Sequence, residues 1–245
     1  MTFRFRELDN QQTPLGELSL RVRLSAAVPD TYVYEVTLNG EFLMSSVVND
    51  SERALATLAL DLAGDGAHDV LVGGLGLGYT ALAALAYDTV RSLRVIESLA
   101  PVIQWHRDGL VPAAQQLADD ARCEVVHADF FDHLREDLPR WHSGRYDVIL
   151  LDIDHSPDAL LHDQHAEFYT EAGLRLMTRH LRPAGIFALW AAEPPSDDFL
   201  DLLRQVFDEI QIHPVSFFNP FHNRRDENTL VLARLAHTVR SFRST

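Results

Sequence analysis

Four glycines and a set of carboxylates at the ends of apolar runs are the residues of this sequence best placed to do chemistry. Gly73, Gly74, Gly76 and Gly78 lie in GGLGLG, between the strand-like DVLVG and the helical YTALAALAY. Glycine lets backbone approach a ligand closely, and a strand-to-helix turn of this kind presents amide N–H groups to a nucleotide or nucleoside. Four glycines exceed what a tight turn requires. Gly76, Gly78 and Ala81 also satisfy the GxGxxA form of a dinucleotide fingerprint, so the loop by itself leaves a nicotinamide enzyme open. Glu97 closes the next apolar run, LRVIE, where a carboxylate can accept from ribose hydroxyls. Asp129 follows VVHA beside Phe130, a pairing that suits an adenine amine and the face of its ring. Each of these acids has a competing role as a helix cap.

The run LLDIDHSP brings Asp152, Asp154 and His155 together where an apolar strand ends. In open α/β sheets that carboxyl edge is where ligands bind. Carboxylates beside a bound cationic centre can hold an amine nucleophile and take its proton as it attacks. Capping of a loop or helix is again the competing role for Asp152 and Asp154. His155, His162 and His165, with Asp158 and Asp163, raise the question of a metal, but no HExxH-type spacing appears and no metal is expected.

The elements that must position these groups follow from the pattern of apolar runs. DVLVG, LRVIE, CEVVHA, YDVILLD and GIFALWA are short strands separated by segments long enough for crossover helices, the signature of a parallel sheet covered on both faces. EIQIHPVSF and NTLVLARL have no helical segment between them and predict an antiparallel hairpin on the sheet edge. Before the sheet, ELSLRVRL, TYVYEVTL and EFLMSSVV read as three strands, with Asn39-Gly40 as a type I′ turn between the last two. SERALATLALDLAG then reads as a linking helix behind a serine cap, stopped by its glycine. The predicted fold is therefore α/β: a Rossmann-like doubly wound sheet with a C-terminal antiparallel hairpin, preceded by a small N-terminal antiparallel β-sheet. The division is a β subdomain over 1–50 and a nucleoside-binding catalytic domain over 51–245.

Composition narrows the function. The chain has 245 residues, 47% of them hydrophobic, and a formal charge of -15. An acidic chain is a poor partner for a phosphate backbone, so no nucleic-acid partner is expected. All 21 basic residues are arginine, which excludes lysine Schiff-base chemistry and a Walker lysine. The single cysteine, Cys123, allows neither an internal disulfide nor a multi-cysteine zinc site. No stretch reaches the ~18 uncharged apolar residues of a spanning helix, and MTFRFRELDNQQ lacks the apolar core of a signal peptide. A cytoplasmic protein without a membrane partner is expected.

Taken together, GGLGLG, the strand-end Glu97, Asp129 after VVHA, YDVILLDIDHSP, EFYTEAGLRLMTRHLRPAGIFAL and the closing hairpin resemble the spermidine synthase (aminopropyltransferase) family, which has the class I methyltransferase fold. The resemblance covers roughly residues 15–235. It implies that Gly73, Gly74, Gly76 and Gly78 face a nucleoside, that Glu97 holds its ribose and Asp129, with Phe130, its adenine, and that Asp152 activates the attacking amine, with Asp154 beside it. The implied donor is decarboxylated S-adenosylmethionine, or S-adenosylmethionine itself, and the implied partner is a small amine or other small acceptor; a homodimer stays open. The sequence departs from the family pattern at the acceptor side. The usual GGGDGG reads GGLGLG, YHE is replaced by NDSER with Glu52 as the remaining match, DSSDP reads DIDHSP with His155 in the loop, and TYP reads FNP with Phe218 and Asn219 in place of tyrosine. These departures keep two alternatives in view: a small-molecule methyltransferase using the same nucleoside site, and a non-catalytic nucleoside-binding homologue.

Overall fold

A computed structural model of the chain describes residues 5–25, 30–135 and 146–237. The N-terminal sheet has four strands in sequence order: β1 (Phe5–Thr13), β2 (Gly16–Leu24), β3 (Tyr32–Leu38) and β4 (Glu41–Ser45), all antiparallel. Three strands were expected here. β1 adds a fourth because FRELDNQQT is polar on both faces and is held by its ladder to β2, from Phe5 opposite Arg23 to Thr13 opposite Gly16, rather than by an apolar stripe. Its Asp9 accepts from Trp105 Nε1 at 2.6 Å, which ties the small sheet to the rest of the molecule. The Asn39-Gly40 turn has positive φ at both residues (54° and 80°), as a type I′ hairpin requires.

Helix α1 (Asp50–Ala63) follows, and Gly64 ends it at a φ of 78°. The expected serine cap is not one. Asn49 occupies the N-cap position, and Ser51 sits in the first turn, buried, accepting from Trp190 Nε1 at 2.9 Å and lying 3.1 Å from Asn228 Oδ1. The chain then alternates through β5 (His68–Gly73), α2 (Tyr79–Leu85), β6 (Val90–Glu97), α3 (Ala100–Arg107), α4 (Ala114–Asp119), β7 (Cys123–His127), α5 (Phe130–Arg135), β8 (Tyr146–Leu151), α6 (Glu171–Thr178), β9 (Leu181–Ala191) and α7 (Asp197–Val206). It closes with the hairpin β10 (Glu209–Asn219) and β11 (Arg224–Arg234).

The seven-stranded sheet runs β10-β11-β9-β8-β5-β6-β7, with β5 to β9 parallel and β11 antiparallel to β9. This is the Rossmann-like α/β layer with the edge hairpin that the apolar runs predict. Its central strands are buried on both faces. Val70, Val72, Val148 and Leu150 face a core shared with α1 to α4 and with Leu18, Leu20 and Val36 of the small sheet. Leu71, Ile149, Leu151 and Phe187 face a second core with α5, α6 and α7. Among the described residues, no helix is long and apolar enough to cross a membrane.

Candidate active site

Three strand ends are stitched together at the carboxyl edge of the sheet. The Asp152 N–H donates to the Gly73 carbonyl and the Gly74 N–H to the Ile96 carbonyl, both at 2.9 Å, so β5, β6 and β8 deliver their last residues to one place. Gly74 is fixed there by sterics. Its φ is +94°, and an added Cβ would stand 2.2 Å from the Asp152 carbonyl oxygen, a contact no side chain survives. Gly76, at φ +48°, presents its carbonyl to His106 Nε2 at 2.9 Å. Burial holds His106 below its ordinary value, so the ring is neutral and donates there.

Glu97 anchors the loop from beneath. The side chain is buried, with Oε2 accepting the Leu75 N–H at 3.0 Å and Oε1 the Leu99 N–H at 2.8 Å. Burial pushes its carboxyl up and the backbone N–H groups pull it back. Beside it, Asp129 Oδ1 accepts the Asp132 N–H at 2.9 Å and caps α5, which leaves Oδ2 outside the cap. Phe130 is buried, and an added Cβ on Gly73 would meet its ring at 2.7 Å. Gly73 is therefore a packing glycine that borders neither cavity at this edge, unlike its expected place against the ligand.

Two cavities open above this edge. The larger, about 310 Å³, is bordered by Gly74, Gly76, Glu97, Asp129, Phe130 and Asp152, with Leu18, Val36 and Met44 of the small sheet across from them. The smaller, about 90 Å³, is bordered by Glu52, Gly78, Tyr79, Asp152, His155 and Trp190. Asp152, Gly76, Ile153, Leu43 and Met44 belong to both.

At that shared wall the Thr80 hydroxyl lies 2.6 Å from Asp152 Oδ2 and 3.2 Å from the Glu52 carbonyl. Burial pushes the Asp152 carboxyl up to about 6, against the pull of the Thr80 bond. Glu52 is pushed up to about 7 by burial and by the neighbouring Asp152 charge. The Asp152 charge thus disfavours ionising both groups together. The pair can hold a cationic amine or receive its proton.

The structure separates residues that the sequence groups. Asp154, expected beside Asp152, turns into the core: Oδ1 accepts from the Leu161 N–H and His165 Nδ1, each at 2.8 Å, and Oδ2 from the Tyr169 hydroxyl at 2.9 Å. It is 1% exposed and borders neither cavity, so it braces the loop rather than meeting a substrate. Phe218 and Asn219 also border neither. They end β10, the outermost strand, where Phe218 is exposed and the Asn219 side chain donates to Asp226 and accepts the Phe221 N–H, holding the hairpin turn. Sequence reasoning did not single out Thr80, Tyr79, Met44 or Trp190. Thr80 alone had a local signal, a hydroxyl in the first helical turn after the last glycine. Among the described residues, no group of three or more His, Cys, Asp or Glu side chains is arranged to hold a metal ion.

The family model described as "Spermine/spermidine synthase domain" matches residues 51–209. No curated relative matches the sequence. Two solved structures share the fold. One is a spermidine synthase in complex with the transition-state analogue AdoDATO, 19% identical, with a TM-score of 0.70, covering 98% of this chain and 79% of its own. The other, the spermidine synthase of Thermotoga maritima, is 19% identical over the same shares, with a TM-score of 0.71.

Proposed function

Because the chain belongs to the spermine/spermidine synthase family, we propose that it transfers the aminopropyl group of decarboxylated S-adenosylmethionine to a small amine. The donor's nucleoside occupies the larger cavity, with its ribose at Glu97 and its adenine at Asp129 and Phe130. The amine enters the smaller cavity, past His155 and Glu52. Its nitrogen lone pair attacks the methylene next to the sulfonium, a C–N bond forms, and the C–S bond breaks with its electron pair returning to sulfur. The proton lost by the nitrogen goes to Asp152, and methylthioadenosine leaves as a neutral thioether. The small β-sheet, in residues 1–50, supplies the apolar lid of a catalytic domain over 51–245.

The observation that carries this reading is that Asp152 borders both cavities. A base must stand within reach of the attacking nitrogen at the moment it meets the donor, and only a residue on the shared wall meets that condition. Its carboxyl, raised to about 6, is ionised at neutral pH yet basic enough to take a proton in the transition state. Glu52 next to it holds the ammonium form of the acceptor before attack.

The test is to incubate the protein with each donor and a panel of mono- and diamines and to identify the released nucleoside by mass spectrometry. Methylthioadenosine with an aminopropylated amine is the expected outcome. Release of S-adenosylhomocysteine from S-adenosylmethionine would convert the reading to methyl transfer, and nucleoside binding without turnover on any amine would leave a binding protein.

A further inference from the structure

The larger cavity is bordered by a histidine, held through one ring nitrogen, that the transfer reaction does not use. His165, in the short 3-10 turn Asp163–Glu167, borders the cavity and lies 4.2 Å, centroid to centroid, from the ring of Phe131. Its Nδ1 stands 2.8 Å from Asp154 Oδ1. Asp154 takes donors on both oxygens, from the Leu161 N–H and the Tyr169 hydroxyl as well, which is the pattern of an ionised carboxylate acting only as acceptor. Burial and the Asp154 charge push the Tyr169 phenol well above its ordinary value, so it stays a donor. In the neutral imidazole, the Asp154 acceptor keeps the proton on Nδ1 and leaves the lone pair on Nε2. Among the described residues, Nε2 has no hydrogen-bond partner.

Position and chemistry then select what that lone pair can read. His165 borders the same cavity as Asp129, Phe130 and Phe131, the acidic and aromatic groups that suit a purine, and its ring packs on Phe131, which in turn packs on Phe130. We propose that His165 is a base-specificity residue: its Nε2 accepts from the exocyclic amine of adenine and rejects a purine that carries an oxygen at that position, with Asp154 and Tyr169 as positioning residues that fix the tautomer. This rests on the nucleoside assignment above. Rejection follows because a carbonyl oxygen facing Nε2 sets two lone pairs against each other and leaves the hydrogen bond unmade.

The experiment is calorimetric titration of the wild-type chain, His165→Phe and Tyr169→Phe with methylthioadenosine and with methylthioinosine, its 6-oxo counterpart. Phenylalanine preserves the ring against Phe131, so the fold has a conservative replacement, and melting curves verify it. The wild type should prefer methylthioadenosine by about tenfold or more, the worth of one polar contact in a buried site. His165→Phe should cut that ratio severalfold through weaker adenine binding, whereas Tyr169→Phe, which leaves Asp154 to hold Nδ1, should cut it less. Equal loss of both nucleosides in His165→Phe, or an unchanged ratio, overturns the proposal and leaves the transfer reading intact. Failure of both nucleosides to bind the wild type overturns the nucleoside assignment itself.

Discussion

Asp152, at the end of β8, and Glu52, in the first turn of α1, border the same small cavity and are linked by the hydroxyl of Thr80, which lies 2.6 Å from the Asp152 carboxylate and 3.2 Å from the Glu52 backbone carbonyl. The contact joins the linking helix to the catalytic edge of the sheet. It also places two acids where burial raises both, to about 6 and about 7. One is therefore suited to take a proton while the other holds a charge.

Asp152→Asn keeps the shape of the side chain and its bond from Thr80 but removes the base. Transfer should fall by about 10²- to 10⁴-fold at pH 7, the usual cost of losing a general base. Nucleoside affinity, which rests on other residues, should stay within a few fold. Raising the pH towards the pKa of the free amine should recover part of the rate, since less of the acceptor then needs deprotonating. Single-turnover rates from pH 7 to 10, with affinity by calorimetry, read both effects. A variant retaining more than about a tenth of the wild-type rate at pH 7 removes Asp152 from the mechanism.

The same pair should give stability a definite dependence on pH. Both folded-state values lie above the unfolded ones, so the folded chain binds more protons through the acidic range. The stabilisation from neutral carboxyls is full below about pH 4 and is lost as pH rises through about 6 to 7. Glu52→Gln removes that penalty. It should melt above the wild type at pH 8, by ~2–4 °C for each kcal/mol recovered in a chain of this size, with the gap shrinking towards pH 5. A gap independent of pH would show that folding does not raise the Glu52 carboxyl.

Glu97→Ala should affect binding and folding together, because the carboxylate that is proposed to hold the ribose also accepts the Leu75 and Leu99 N–H groups. Loss of the bonds to Leu75 and Leu99 should lower the denaturation midpoint clearly, and loss of the proposed ribose bonds, worth about 1.5–3 kcal/mol, should cut nucleoside affinity at least tenfold. Calorimetry and urea unfolding measure the two. Full stability with normal affinity would detach Glu97 from both roles.

Asp129 carries a cap and a proposed base contact, and two substitutions separate them. Asp129→Ala loses the bond to the Asp132 N–H and should destabilise by about 0.5–2 kcal/mol, whereas Asp129→Ser retains a capping oxygen and should be nearly neutral. Both should weaken methylthioadenosine binding. If Asp129→Ser binds as the wild type does, the cap is the whole function of this residue.

A tight contact supports a further prediction about the loop. Gly74→Ala combines a positive φ with a Cβ directed at the Asp152 carbonyl, so the variant must displace the end of β8. A stability loss larger than the few tenths to 1 kcal/mol of an ordinary glycine exchange is expected, together with loss of transfer. Thermal melts and the mass-spectrometric assay report it, and wild-type behaviour in both would show the loop to be more adaptable than its geometry.

The sequence by itself determined the parallel core, its order of strands and helices, the edge hairpin and the strand-end positions of Glu97, Asp129 and Asp152, because each depends on short-range pattern: apolar runs of strand length, glycines at a turn, an acid where the run stops. Polar β1 was illegible for the same reason, since its pairing to β2 replaces the apolar alternation that pattern reading needs. Only the tertiary structure decided which acids share a site. Asp152 and Asp154 are two residues apart, yet one borders both cavities and the other is turned inward by Leu161, His165 and Tyr169. Glu52, remote in the chain, is brought to Asp152 by the packing of α1 against α2 and the sheet. Side-chain direction in a loop is set by which buried donors must be satisfied, and those donors come from segments whose arrival no local pattern records.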